Sequence, residues 1–361
     1  MKVVLGTRCE GGATMSDSIA SIHNGFTHAT GGRILDPFGH ELLLFGVQEF
    51  NDWWNQFESF FASPIGRKLI YAATDEEEYS LGKHPYIQPK KWFSKKKSYS
   101  ALLQRWRAMG WGVYDLESDS ILSPAHPTLT VGFALAAKEH FVQKRFRLEW
   151  DQRSSDYISI DFSEKNEPMS DVHQAPLLNW GEQTTLSHGK EELNHEIQLR
   201  SFGFFIGQQR GLFVPSQVLN RLYFGLQGRP LRDARSVQQD MEVEGLEQSI
   251  MPLFQASVAA SKFMFESSNY GLFVQQESDW NDHVELRLSQ RGFGVLSEQS
   301  CSLSSTNSLE ATLHSPQPGY SLGLIWGMWE RAHGSPFRMK VEIGIDALIF
   351  SLYPRQMDYE T

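Results

Sequence analysis

The sequence predicts an α+β protein of two tandem, divergent units, each with helices packed on one face of a small antiparallel sheet. Three observations carry this expectation. A Gly-aromatic-Gly step occurs twice, as Gly110-Trp111-Gly112 and Gly292-Phe293-Gly294, each time after a helical run and before a run of strand formers. Each step is followed by a Ser-Pro pair, Ser123-Pro124 and Ser315-Pro316, and then by an apolar stretch containing glycine. Each half closes on two segments whose apolar residues alternate with period two, the mark of half-buried antiparallel strands.

The elements follow in order. Val47, Phe50, Trp54, Phe57, Phe61 and Ile65 fall on one helical stripe and predict a single long amphipathic helix, with a further helical run at Lys68-Leu69-Ile70-Tyr71. Asp75-Glu76-Glu77-Glu78 reads as a solvated charge run in a loop. Ser98 to Met109 is a second helix that stops at Gly110, as helix C-termini often do. The small residues around Trp111 let the backbone turn into a strand, Gly112 to Leu116. Leu129 to Ala137 is a helix crossing the sheet. Phe146 to Trp150 and Tyr157 to Phe162 form the closing strand pair.

The second half repeats the pattern. Leu246, Ile250, Phe254, Val258 and Phe265 mark the long helix, Asp279 to Gln290 the second, and Gly294 onward the strand. Tyr320 to Trp329 is the apolar helix, and Phe337 to Ile343 with Ala347 to Leu352 the closing pair. Further matches support the register: Gly32-Arg33-x-Leu35 with Gly228-Arg229-x-Leu231, Lys68 to Tyr71 with Lys262 to Phe265, and Gly132, Glu139, Phe146 and Arg147 with Gly323, Glu330, Phe337 and Arg338. Between the halves, Ser170 to Glu192 is polar and loop-like, Leu199 to Val214 reads as a hairpin, and a helix runs from Pro215 to Leu226. The expected organisation is a flexible extension over 1–17, with Met15 an alternative start, a first unit over 18–165, a polar insert and hairpin over 166–211, a second unit over 212–354 and a tail over 355–361.

Composition narrows the function classes. Of 361 residues, 33 are Lys or Arg and 43 are Asp or Glu, a formal charge of −10. A surface this acidic opposes non-specific nucleic-acid binding, which needs clustered cations. Up to Lys165 there are 19 basic and 20 acidic residues, against 14 and 23 afterwards, so a basic partner would favour the second half. The two cysteines, Cys9 and Cys301, exclude a disulfide framework and a thiolate zinc site, and fit a reducing, cytoplasmic setting. No apolar run is long enough to span a membrane.

Candidate sites each have a plainer alternative. Asp115, Glu117 and Asp119 alternate along a strand and could bind a cation or form its wet face. His188, Glu191 and His195 make the densest His/acid cluster. On a helix over Lys190 to Leu199, Glu191 and His195 would share a face suited to zinc or iron; otherwise they belong to a polar insert. Ser123-Pro124-Ala125-His126 reads as a turn rather than a nucleophile with its base. No phosphate-binding loop, dinucleotide fingerprint or nucleophile elbow occurs, and no catalytic residue is assigned. The lysine-rich run from Lys90 to Lys97 could meet an anionic surface or simply solubilise a loop. Arg147 and Arg338 recur at matched places and could clamp a ligand carboxylate or pair with Glu139 and Glu330. Trp53, Trp54, Trp106, Trp111, Phe293, Trp326 and Trp329 lie at the predicted helix–sheet interface.

Met109-Gly-Trp-Gly-Val-Tyr114 and Arg291-Gly-Phe-Gly-Val295, set in this element order over about Ser18 to Phe162 and Leu212 to Tyr353, resemble the vinyl-4-reductase-like (4-vinyl reductase) domain family. The Gly-Arg-x-Leu segments at Gly32 and Gly228 look like the related effector domains of aromatic-hydrocarbon-sensing bacterial activators. That family shares its fold with the small subunits of the TRAPP tethering complex. The resemblance implies a non-catalytic module that binds an apolar or aromatic small molecule, in a cavity lined by Trp106, Trp111, Phe293 and Trp326. It implies no other cofactor. Family members often carry metal-binding cysteines near the domain end, which this chain lacks. Two copies could pair as an intramolecular pseudo-dimer, and any output would pass through a protein partner or self-association. A ligand-free interaction scaffold is the alternative, and a metal-dependent enzyme built on His188 and His195 a further one.

Overall fold

The computed structural model describes residues 25–88, 95–178, 180, 191–193, 197–232, 239–302, 307–344 and 348–355. The expected extension over 1–17 lies outside these residues. A meander of β1 (Thr27–Ala29), β2 (Arg33–Leu35) and β3 (Glu41–Gly46) leads into helix α1 (Val47–Ser59). Glu49 caps α1 by accepting the Gly46 backbone N–H at 3.0 Å, and Phe50, Trp53, Trp54 and Phe57 form its buried stripe. The helix expected to run up to Ile65 therefore stops six residues earlier. The chain leaves α1 at Ser59, and Pro64 disfavours helical geometry at Ser63. α2 (Gly66–Lys83) then begins at Ile65 as its N-cap.

The first half continues through α3 (Lys95–Ala108), β4 (Val113–Asp115), β5 (Ser120–Leu122), α4 (Pro127–Val142), β6 (Phe146–Ser154) and β7 (Tyr157–Glu164). Next come β8 (Glu191–Glu192), β9 (Ile197–Arg200), β10 (Gly203–Ile206) and β11 (Gln209–Pro215), the last crossing the expected boundary at 211/212. The second half has α5 (Ser216–Leu226), β12 (Met241–Glu244), α6 (Met251–Ser267), α7 (Glu277–Arg287), a 3-10 turn (Ser289–Arg291), β13 (Val295–Ser302), β14 (Ser308–His314), α8 (Pro318–His333), β15 (Phe337–Ile343) and β16 (Leu348–Pro354). The fold is α+β. Strand order is β4-β5-β7-β6 in one small sheet and β13-β14-β16-β15-β12 in the other.

The halves meet in a seven-stranded sheet, β8-β1-β2-β3-β11-β10-β9, whose centre is the antiparallel pair β3/β11. Each leading hairpin packs on the glycine corner of the other half. Gly110 and Gly292 have positive φ, and a Cβ there would lie 2.4 Å from the Gly211 carbonyl and 2.3 Å from the Leu42 carbonyl. Only glycine permits both the conformation and the approach. The Trp111 indole donates to the Phe213 carbonyl at 2.8 Å, and Arg210 donates to the carbonyls of Gly110, Ser123 and Phe202.

Helix α4 crosses α2, and α8 crosses α6, at small residues. A Cβ on Gly132 would meet the Ile70 carbonyl at 2.6 Å, and one on Gly323 the Val258 carbonyl at 2.1 Å. These crossings align Ile70 with Val258, six residues away from the Lys68/Lys262 match read in the sequence. Pro127 and Pro318 open the two helices, directly after the Ser123-Pro124 and Ser315-Pro316 turns. Gly32 sits in the β1–β2 turn, whereas Gly228 follows α5, so the two Gly-Arg-x-Leu segments hold different places.

Candidate functional site

The acidic run Asp75 to Glu78, expected on a solvated loop, lies within α2, and three of its members are buried: Glu76, Glu77 and Glu78. Successive helical positions turn by about 100°, so adjacent carboxylates reach different neighbours. Glu77, fully buried, takes a two-pronged bond from Arg105 of α3, at 2.9 and 2.7 Å. Glu76 pairs with Arg221 of α5 at 2.9 Å. Glu78 and Glu139 share the Arg145 guanidinium, each at 2.6 Å. Burial holds the Glu76 and Glu78 carboxyls above their ordinary range despite these arginines. No period-based reading finds this network, because its cations come from α3, α5 and the connection between α4 and β6.

The network reaches the surface at Arg105. Its guanidinium lies 3.8 Å from Asp36 and 5.2 Å from the Trp111 ring centroid. Asp36 accepts the backbone N–H groups of Phe38 and His40 at 2.8 and 2.9 Å, and its other oxygen meets His40 Nδ1 at 3.1 Å. Burial opposes ionisation of Asp36, but His40 and Arg105 outweigh it and hold the carboxyl below its usual range. His84 accepts from the N–H groups of Tyr86 and Ile87 through Nδ1, at 3.3 and 3.2 Å. Burial and the Arg105 charge push its pKa down to about 4, so the ring is neutral at pH 7.

These groups sit at a cleft of about 370 Å³ between the β2–β3 turn and α3. Asp36, His84, Gln104 and Arg105 are its polar edge, and Phe26, Pro37, Phe38, Tyr86, Ala101, Ala108 and Met109 its apolar walls. A mostly apolar concavity with a few convergent polar groups is the usual form of a small-molecule site.

The residues singled out by sequence lie elsewhere. Trp106, Trp111 and Phe293 are fully buried and Trp326 is 5% exposed. Trp111 stacks on Phe133 at 3.8 Å and Trp106 on Tyr114 at 5.1 Å, while Phe293 stacks on Tyr320 at 4.5 Å. These four line neither the cleft nor the three other clefts described, of about 190, 650 and 760 Å³. Glu139 and Glu330 do play matched roles, accepting the backbone N–H of Phe146 and Phe337 at 2.7 and 2.8 Å. Their cations are Arg145 and Lys262, not Arg147 and Arg338. Arg147 is exposed, and Arg338 lies 3.6 Å from Asp240.

Other expectations change with the fold. Glu117 and Asp119 lie in the β4–β5 turn rather than along a strand face, and Asp119 pairs with Lys138 at 2.7 Å. His126 caps α4, its Nδ1 accepting from Leu129 N–H at 3.2 Å, as the turn reading of Ser123 to His126 requires. His188 and His195 lie outside the described residues, as do Lys90, Lys91 and Cys9. Strands at Glu191–Glu192 and Ile197–Arg200 replace the helix considered there. Among the described residues, no three His, Cys, Asp or Glu side chains converge as metal ligands. Lys96 and Lys97 are exposed on the first turn of α3. Burial pushes the Cys301 thiol up to about 11. No helix among the described residues is long and apolar enough to cross a membrane.

Comparison with known proteins returns nothing: no family model, no curated protein and no solved structure matches this chain.

Proposed function

We propose that the chain is a non-catalytic binding module for an apolar or aromatic small molecule, composed of two vinyl-4-reductase-like copies in tandem and acting through a protein partner in the cytoplasm. The cleft at Asp36, His84 and Arg105 carries the reading. A dry cavity of about 150 Å³ holds one benzene, so a cleft of 370 Å³ has room for about two rings. Its walls suit aromatic carbon. Gln104 is exposed at the rim and offers both a donor and an acceptor. Arg105 and Asp36 are held by their own partners, which fixes the floor before a ligand arrives.

Native mass spectrometry of protein from its own host, followed by denaturing extraction, tests this. A released apolar molecule near one per chain, absent from an Ala101→Trp variant that fills the cleft, supports the reading. Protein that stays ligand-free and binds no aromatic probe at millimolar concentration overturns it. A ligand-free interaction scaffold is the second reading. It is favoured by one observation: the aromatics between helices and sheets are packed against one another instead of around a cavity.

A further inference from the structure

The two small sheets differ at one edge. In the second half β15 is covered by β12, which pairs with it in parallel through Met241↔Met339 and Val243↔Val341. In the first half β6, the counterpart of β15, ends its sheet among the described residues. The cause is a connection. Residues 227–250 join α5 to α6 and carry β12, whereas residues 60–65 join α1 to α2 and, among the described residues, make a single bridge, Phe61 with Leu231.

The uncovered edge leaves space. The inward residues of β15, Phe337, Met339 and Val341, are buried, whereas Phe146, Leu148 and Trp150 of β6 are half-buried. A groove of about 650 Å³ runs beside β6, with Ile70, Tyr71 and Leu135 on its far wall. Tyr71 is 57% exposed. In the second half, Trp326 stands where Leu135 does, and Met241 from β12 is buried.

The second half also shows the chemistry of the occupant. The Met339 N–H donates to the Asp240 carbonyl at 2.9 Å, so the matching amide of Leu148 points out of the sheet. The Asp240 carboxylate lies between Arg338 at 3.6 Å and Arg355 at 2.9 Å. Their counterparts are Arg147 and Lys165; the register is set by matching backbone bonds, Lys165 N–H to Arg145 carbonyl and Arg355 N–H to Pro336 carbonyl. Arg147 has no acidic partner among the described residues, and Lys165 reaches Glu167 at 3.7 Å on the surface. One position inverts: Lys340, which pairs with Glu244 at 3.2 Å, is matched by Glu149.

We propose that the β6 edge is a docking site for an extended segment of a partner protein, which adds as a strand parallel to β6. Strand addition of this kind takes affinity from main-chain bonds and specificity from alternate side chains. The segment carries an acidic residue at its start for Arg147 and Lys165. Apolar side chains at alternate positions fill the groove, and a basic residue following them, at the place of Glu244, faces Glu149. An exposed edge of this length would otherwise invite aggregation.

The probe is a peptide, Ser-Asp-Met-Lys-Val-Lys-Gly, read by hydrogen exchange at single β6 amides in the full chain. The Leu148 amide exchanges freely without peptide and slows at least about tenfold at saturation. Arg147→Glu weakens binding by about tenfold, and a peptide starting Ser-Lys restores it. Slow Leu148 exchange in the free chain overturns the proposal, because the edge is then already covered. Absence of protection at millimolar peptide, or affinity indifferent to Arg147→Glu, overturns it as well. None of these readouts involves the cleft at Asp36.

Discussion

Helices α2 and α6 are each crossed by a glycine-bearing apolar helix, at Gly132 and at Gly323. They solve the same packing problem differently. Counting from the crossings at Ile70 and Val258, the buried Glu76 and Glu77 of α2 correspond to Met264 and Phe265 of α6. The first site is filled by carboxylates paired with arginines from α3 and α5, the second by apolar side chains. Arg331 lies over the Phe265 ring at 4.4 Å and donates to the carbonyls of Phe265, Glu266 and Tyr270. A helix crossed in this way therefore accepts either chemistry, provided each buried charge has its partner. The ionic version brings Arg105 and Asp36 to a cleft; the apolar version buries its residues beneath α8.

Removing one charge should separate the two helices most. Arg105→Leu leaves Glu77 buried without its partner and should cost about 3–5 kcal/mol in denaturant unfolding. Arg287→Leu, at the matching place on α7 but stacked over Tyr270 at 3.7 Å, should cost about 1 kcal/mol or less. The pair Arg105→Leu with Glu77→Leu converts the first half to the apolar solution and should recover most of the loss. Equal costs for the two arginine variants would dismiss the distinction.

Acid provides the next contrast. The N-cap of α4 is His126, that of α8 is Gln317, which does not titrate. Burial pushes the His126 pKa down to about 3, while the unfolded ring titrates near 6.5. Protons therefore bind the unfolded state first. Stability is complete above pH 6.5 and falls between there and the folded value, by about 3 kcal/mol at pH 4. His126→Asn keeps an N-cap acceptor and should flatten that slope; a slope unchanged in the variant assigns the acid sensitivity elsewhere.

A smaller effect compares the crossings themselves. Gly132→Ala and Gly323→Ala each force a methyl group toward a carbonyl and should cost about 1–3 kcal/mol. Gly323 should be the worse, since its Cβ would lie 2.1 Å from the Val258 carbonyl against 2.6 Å at Ile70. Thermal melts that rank them the other way would show that α4 is the less able to shift.

Period and local turn chemistry encode the α+β class, most helices and the closing strand pairs, and these are legible without coordinates. Gly110 and Gly292 announced the helix-to-strand corners, since positive φ is a property of the residue. The break after Ser59 was also written locally, in Ser63-Pro64, but the continuous stripe through Ile65 masked it. What the acidic run of α2 does follows from packing. A carboxylate looks the same in sequence whether water or an arginine satisfies it, and Arg105, Arg145 and Arg221 are brought to it by packing. The same holds for β12: a four-residue strand in a long connection has no period to read, and its place beside β15 follows from hydrogen bonds made across the fold.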